Sequence, residues 1–270
     1  MVRQKTFHDE QFPVGLLTAP SLKPLILAYY QAARFADDIA DNPWLSPEQK
    51  QKKLLAVRQA FLQPDTGSDL LVIRGLGRLF AAERLDASLF LDLLTAFERD
   101  AAGHPVRIWE ELLDYCRYSA APVGRFMLAI HDENPSGYLP AENLCAILQI
   151  LNHLNSLKED LSLLGRCYIP ADIMQKYGVR TGDLGLSYTT PQVKALLAEV
   201  IARVEALQAD VLILPSLVKN FRLRFEIGVI LSLTNSMIQK NKKADILQSP
   251  PSLGIWDWLK ALASGLSLIH

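Results

Sequence analysis

Tyr30-Gln31-Ala32-Ala33-Arg34-Phe35-Ala36-Asp37-Asp38-Ile39-Ala40-Asp41 reads as an apolar helix that ends in acid. Asp37 and Asp41 are one helical turn apart and stack on one face. Arg34 precedes Asp37 by three residues and Tyr30 precedes Arg34 by four, on much the same face. Two carboxylates at this spacing repel unless a cation lies between them. Mg²⁺, a hard cation that takes oxygen ligands and usually arrives with a phosphate, suits such a pair. The alternative is a solvated acidic helix end. Against it, negative charge at a helix C-terminus opposes the macrodipole. A locally unfavourable choice of residue is a pointer to function.

Outward from this stretch, helix signals recur and strand signals hardly appear. Residues 22–41 form one long helix, stopped by Asn42-Pro43. Ser46-Pro47-Glu48-Gln49 is a capping box that opens a helix to about Gln63. Further helices are expected over 69–84, from Asp86 to about Ala102, and from about Ile108 to Ala121-Pro122, where the chain must bend or restart. Val123–His131 continues apolar. Residues 141–164 read as a second long helix closed by Gly165. After the extended link Arg166–Pro170 come a short helix, a glycine-containing loop over 178–189, and long helices over 190–214 and 216–242. The tail, 250–270, carries Ile255, Trp256, Leu259 and Leu262 at helical spacing. There are no repeats and no composition shift. The expectation is one all-α domain over 1–270, with helices long enough to surround an elongated cavity.

Composition narrows the function. The chain has 270 residues, half of them hydrophobic, and a formal net charge of -1. That balance gives no general electrostatic case for nucleic acid. Mean hydropathy is slightly positive, at +0.12, yet no stretch reaches the ~18–20 apolar residues of a membrane span. Cys116, Cys145 and Cys167 lack metal-site spacing and suggest a reducing compartment. The first ten residues are too polar for a signal peptide. The reading is a cytoplasmic protein.

A second polar stripe lies on the helix over 141–164. Asn152, Ser156 and Asp160 recur every four residues, and Gln149 extends the stripe at its N-terminal end. An amide oxygen, a hydroxyl and a carboxylate are hard ligands that suit Mg²⁺ and exclude a soft metal. Taken alone, the stripe reads as an ordinary polar face before it reads as a metal site. Paired with the acidic stretch, it fits an all-α box that holds Mg²⁺ against a diphosphate, above an apolar cavity for a hydrocarbon tail. Arg34, Arg117, Arg125 and Arg166 are candidates to hold the same diphosphate. Ionising an allylic or cyclopropylcarbinyl diphosphate needs neutralisation of the leaving group. The carbocation then needs a water-poor cavity, with aromatic rings to stabilise it. Tyr29, Tyr30, Phe35, Tyr115 and Tyr118 are candidates for that lining, with plain core packing as the alternative. His153, beside the stripe, is a candidate base for a water nucleophile.

These motifs carry a resemblance. Ala33-Arg34-Phe-Ala-Asp37-Asp38-Ile-Ala-Asp41 resembles the first aspartate-rich motif of the squalene/phytoene synthase family. Tyr115-Cys-Arg-Tyr-Ser-Ala-Ala-Pro-Val-Gly124-Arg125 resembles its central segment, and Gln149–Asp160 with Arg166-Cys-Tyr168-Ile-Pro170 its second motif and exit. The likeness runs from Phe12-Pro13-Val14 to the helix around Arg222–Glu226. Within the family the chain is most similar to the bacterial hydroxysqualene synthase branch of hopanoid and squalene biosynthesis. The resemblance implies a class I isoprenoid synthase fold, Mg²⁺, and conversion of presqualene diphosphate and water to hydroxysqualene and diphosphate without NADPH. The class is a carbon–oxygen lyase or transferase. It implies metal-binding places for Asp37, Asp41, Asn152 and Asp160, substrate-facing places for Tyr30, Arg34 and Gln149, and a catalytic place for Tyr168. It also implies neighbours in a pathway, a presqualene diphosphate synthase and a hydroxysqualene dehydroxylase. Because substrate and product are very apolar, the 250–270 tail with Trp256 and Trp258 is a candidate for peripheral contact with the inner membrane, with packing on the body of the protein as an equal alternative.

One position departs from the family. Ser156 stands where Asp is usual. Asn152–Ser156–Asp160 nevertheless matches the spacing by which related terpene synthases hold one Mg²⁺, so Ser156 is read as a substituted ligand. Two other readings stay open: head-to-head condensation of two farnesyl diphosphates, and a member that has lost catalysis and serves as a binding or assembly factor.

Overall fold

The computed structural model describes Gly15, residues 18–67 and residues 69–268. The expectations for the first ten residues, for Phe12-Pro13-Val14 and for His270 lie outside the described residues.

The acidic stretch falls on α1 (Lys23–Ala40), with a proline in its first turn, where a missing N–H costs nothing. Leu25, Tyr29, Ala32, Ala36 and Ala40 are buried along one stripe. The small residues of its second half allow neighbouring helices to approach closely. Capping dictates α2 (Pro47–Leu62): the Ser46 and Gln49 side chains exchange hydrogen bonds with each other's backbone N–H, at 3.3 and 2.9 Å. In α3 (Leu71–Ala82), Gly77 is required by packing. A Cβ there would stand 2.3 Å from the Phe61 carbonyl oxygen. Then come α4 (Ser88–Ala102), closed by Gly103 at φ +68°, and α5 (Trp109–Ser119). The chain restarts at Ala120 as α6 (Ala121–Ile130), with Pro122 in the first turn, as the sequence requires.

The second long helix is α7 (Tyr138–Glu159), which begins three residues earlier than expected because Pro140 is accepted in a first turn. Its end also differs. Asp160–Leu164 is a π-helical turn, closed by left-handed Gly165 at φ +65°. After α8 (Ala171–Lys176), Thr190 caps α9 (Pro191–Val211), which ends short of the expected Leu214. The helix expected over 216–242 is divided into α10 (Leu214–Leu217) and α11 (Phe221–Asn241). Two interactions cause the break. The Glu133 carboxylate accepts from the backbone N–H of Lys219 and Asn220 at 2.8 and 2.6 Å, and the Asn220 side chain caps α11. α12 (Ile255–Ser267) ends the described chain. Among the described residues there is no strand.

One core cluster runs from α1 to α11. Its aromatic centre is Tyr29 stacked on Phe126 at 4.0 Å, with Phe80 and Phe90 beside them. The Tyr29 hydroxyl donates to the Leu89 carbonyl at 2.7 Å. Tyr29 is therefore a core residue and leaves the set of cavity-lining candidates. α12 packs on α11 through Ala261 and Gly265, so the tail docks on the body. Its other face stays exposed: Trp256 is 80% exposed, Ile255 67% and Leu266 57%.

A Cβ on Gly265 would lie 2.9 Å from the Phe225 carbonyl oxygen and 2.9 Å from Val229. Backbone cannot yield as a side chain can. Gly265→Val is expected to cost about 1–3 kcal/mol and to lower the melting temperature by roughly 2–4 °C for each kcal/mol. An unchanged melt would show that α12 is not held by this close approach.

Candidate functional site

The C-terminal half of α1 gathers three carboxylates and draws cations to them. Arg34 forks between Asp37 at 2.8 Å and Asp38 at 2.7 Å. Arg166, from the link after the π turn, contacts Asp41 at 2.6 Å and donates to the Ala40 carbonyl at 2.9 Å. Lys50 of α2 donates to the same carbonyl at 2.8 Å. Two cations thus cap the negative end of the helix, where its own sequence places acid. They do not remove the strain. Burial, and then Asp41, raise the Asp37 carboxyl to about 7, against the pull of Arg34. The Nε of Arg34 is buried with no hydrogen-bond partner. A guanidinium with a spare donor beside an under-neutralised acid pair suits a phosphate group arriving with a hard cation.

The second stripe lies where α7 passes into its π turn. The Ser156 hydroxyl donates to Asp160 at 2.7 Å and stands 3.0 Å from the Asn152 carbonyl. His153, buried, has Nδ1 3.7 Å from Asp160 and Nε2 3.0 Å from the Gln149 amide nitrogen. Gln149, Asn152, Ser156 and Asp160 supply oxygen donors only. No three acidic, imidazole or thiol groups among the described residues form a cluster able to hold a metal ion by themselves. An ion here needs oxygens from a bound ligand as well.

The two stripes are joined by groups that sequence reasoning did not single out together. Asp100, at the end of α4, accepts from the hydroxyls of Tyr115 at 2.8 Å and Tyr168 at 3.1 Å. Arg166 Nη1 lies 3.9 Å from it. The Tyr168 ring stacks on His153 with 3.7 Å between centroids. A continuous path therefore runs from Asp41 through Arg166, Asp100 and Tyr168 to His153 and Asp160. Asp100 and Lys50 carry no local signal. Glu98-Arg99-Asp100 reads as a charged helix end, and Lys50 as one of three lysines on an exposed helix.

Below the polar stripe is an apolar cavity between α6, α7, α10 and α11. Val123 and Met127 line it from α6, Leu144 and Leu148 from α7, and Ile227 and Ile230 from α11. Among the described residues Glu226 is the one carboxylate on its wall, and it accepts from the Gly15 N–H. On α7, Leu148 is followed directly by Gln149 and, a turn on, by Asn152. The apolar wall and the oxygen stripe are consecutive stretches of one helix.

Not every sequence candidate reaches this place. Arg125 is engaged by Asp92 at 2.6 Å and Glu142 at 3.4 Å. Arg117 is 67% exposed, with Asp114 at 3.6 Å. Neither is joined to the cluster: Arg125 faces acids of two other helices, and Arg117 faces Asp114, three residues earlier on its own helix. Tyr118 lies under the Arg99 guanidinium at 4.4 Å, and Phe35 is exposed. Tyr30, Arg34, Asp37 and Asp41 share one stretch of chain at α1, and Tyr30 is half-buried there.

Comparison with known proteins shows the family and the fold. The family model described as squalene/phytoene synthase matches residues 6–256. A hydroxysqualene synthase of Sinorhizobium fredii is 38% identical over 251 residues, covering 91% of this chain and 84% of the relative. That of Rhodopseudomonas palustris is 36% identical, covering 90% and 83%. Among solved structures, squalene synthase HpnC from Alicyclobacillus acidocaldarius superposes with a TM-score of 0.76 at 28% identity, covering 88% of this chain and 89% of that one.

A raised carboxyl makes a signed prediction. Asp37 keeps its proton in the folded state up to about pH 7 and loses it earlier in the unfolded state. Its contribution is therefore present at low pH and lost as pH rises from the usual carboxylate range through about 7. In EDTA, Asp37→Asn is expected to melt above the wild type at about pH 8 and to show a shallower fall in melting temperature from about pH 5. A variant that melts at or below the wild type at the higher pH would show that the acid pair is not strained.

Proposed function

The chain belongs to the squalene/phytoene synthase family, and on that premise we propose that it converts presqualene diphosphate and water to hydroxysqualene and diphosphate. At the coarser level it has the all-α class I isoprenoid synthase fold and is an enzyme acting on isoprenoid diphosphates. The observation that carries the finer reading is the face of α7. Its apolar wall, Leu144 to Leu148, suits a hydrocarbon, and its next turns, Gln149 to Asp160, suit a metal-bound diphosphate.

Arg34 and Arg166 are the cations for the diphosphate. The Nε of Arg34 is unused, and Arg166 lies between Asp41 and Asp100. Asp37 and Asp41 on one side, and Asn152, Ser156 and Asp160 on the other, are the oxygen donors that would hold Mg²⁺. Bound there, Mg²⁺ supplies Lewis-acid neutralisation of the leaving diphosphate. The carbon–oxygen bond breaks with its electron pair on diphosphate. The apolar cavity keeps bulk water from the carbocation, and a single water adds to the carbon. Its proton leaves to the diphosphate or to a side chain such as His153. A main core from α1 to α11, with α12 packed on α11 through a smaller cluster, supports reading the described residues as one domain.

Purified protein with presqualene diphosphate and Mg²⁺, without NADPH, is expected to yield the alcohol. Turnover of farnesyl diphosphate alone would instead assign the condensation reaction, and no turnover of either would assign a non-catalytic role. Ser156→Ala is expected to raise the Mg²⁺ concentration for half-maximal diphosphate release by at least about tenfold, and Ser156→Asp to preserve release. If Ala matches the natural residue, Ser156 is not a ligand.

The same reading places the chain in the cytoplasm. No helix of the described residues is long and apolar enough to cross a membrane. The exposed Ile255, Trp256 and Leu266 of α12 support peripheral contact with a bilayer. Because these side chains are exposed, Trp256→Ser with Leu266→Ser leaves the fold in place and is expected to abolish flotation with anionic liposomes. Unchanged flotation would end that reading.

A further inference from the structure

The carboxylate that joins the two stripes belongs to neither. The Asp100 side chain is 10% exposed. It accepts from the Tyr115 hydroxyl on Oδ2 and from the Tyr168 hydroxyl on Oδ1. A phenol has one proton. Once that proton is turned to Asp100, the phenol oxygen offers only lone pairs to everything else around it. The two hydroxyls stand 3.5 Å apart, and both rings lie beside His153 of the polar stripe. The Tyr168 ring is stacked on His153, and the Tyr115 ring centroid is 6.0 Å from it. His153 in turn meets Gln149, the residue after Leu148. Arg166, 3.9 Å from Asp100, balances its charge. Burial raises the Asp100 carboxyl, and Arg166 and the two hydroxyls oppose that shift.

We propose that Asp100 is a positioning residue for the cationic step: by taking both phenol protons, it makes Tyr115 and Tyr168 present oxygen lone pairs, and not O–H bonds, to the carbocation. This rests on the reading of the chain as an isoprenoid diphosphate synthase. When the carbon–oxygen bond breaks, the pair of electrons leaves with diphosphate and carbon becomes positive. An O–H bond aimed at that carbon opposes the charge, whereas an oxygen lone pair stabilises it. In a site with little water the difference is large. The orientation is set before reaction, so it costs no reorganisation when the charge appears.

Binding reads this directly. With Mg²⁺ and diphosphate present, calorimetry compares a tertiary ammonium analogue of the carbocation with its neutral carbon isostere. Asp100→Asn places an NH₂ donor against the phenols and turns at least one proton outward. The preference for the ammonium analogue is expected to fall at least about tenfold, while the neutral isostere binds within about twofold. Tyr115→Phe and Tyr168→Phe are each expected to reduce the same preference. In the double phenylalanine background Asp100→Asn changes it no further. An undiminished preference in both phenylalanine variants overturns the proposal, whether or not Asp100→Asn folds. An equal loss on adding Asp100→Asn to the double phenylalanine background also overturns it, since Asp100 would then act through its own charge. Loss of both analogues together means that Asp100 serves packing alone, and the proposal falls. A wild type with no preference for the ammonium analogue would sink the underlying reading of cation chemistry instead.

Discussion

The structure depends on an electrostatic problem at one helix end. α1 buries its C-terminal half through Ala32, Ala36 and Ala40, and the chain carries Asp37, Asp38 and Asp41 on the adjoining face. The helix dipole and three carboxylates put negative charge where little water can screen it. Everything cationic nearby is organised by that fact. Arg34 forks onto two of the acids, Arg166 bonds the third, and Lys50 and Arg166 share the last carbonyl of the helix. The compensation is incomplete, as the raised Asp37 carboxyl shows. A site left short of positive charge is a site for a metal cation that brings a phosphate with it.

The same constraint explains the shape of the second stripe. Arg166 can reach Asp41 only because α7 does not run straight on into the link. Its last turn widens at Asp160 and ends in left-handed Gly165, after which the chain turns back. π turns often mark functional positions. Here the turn places Asp160 against Ser156 and His153 while sending Arg166 across to α1. Asp100 then holds Arg166 and both tyrosines, and so stands between the two stripes.

The apolar half of the site follows from a different rule. Gln149–Asp160 carries the oxygen stripe on a helix whose preceding turns present an apolar wall, so a single element meets both requirements of an amphiphilic ligand. The cavity below it is walled by α6, α7, α10 and α11, with the Glu226 carboxylate at its edge tied to the Gly15 N–H.

Much of this was legible in the chain itself, because it rests on local physics. Capping at Ser46, the proline restart after Ala120, the glycine stop at 165 and the one-turn spacing of Asp37 and Asp41 each depend on a few consecutive residues. So did the oxygen stripe and the family resemblance. What sequence could not show was long-range. Arg125 looks like a diphosphate cation until Asp92 and Glu142 are seen beside it. The helix expected over 216–242 is cut by a carboxylate from Glu133, far away in the chain. Tyr29 could line a cavity or fill a core, and the stack on Phe126 decides it. Asp100 has no signature, because its role comes from what other elements bring to it. Local sequence determined which residues are acidic, capped and helical. Only tertiary packing decided which charges neutralise one another, because charge pairing depends on distance in space and not on spacing along the chain.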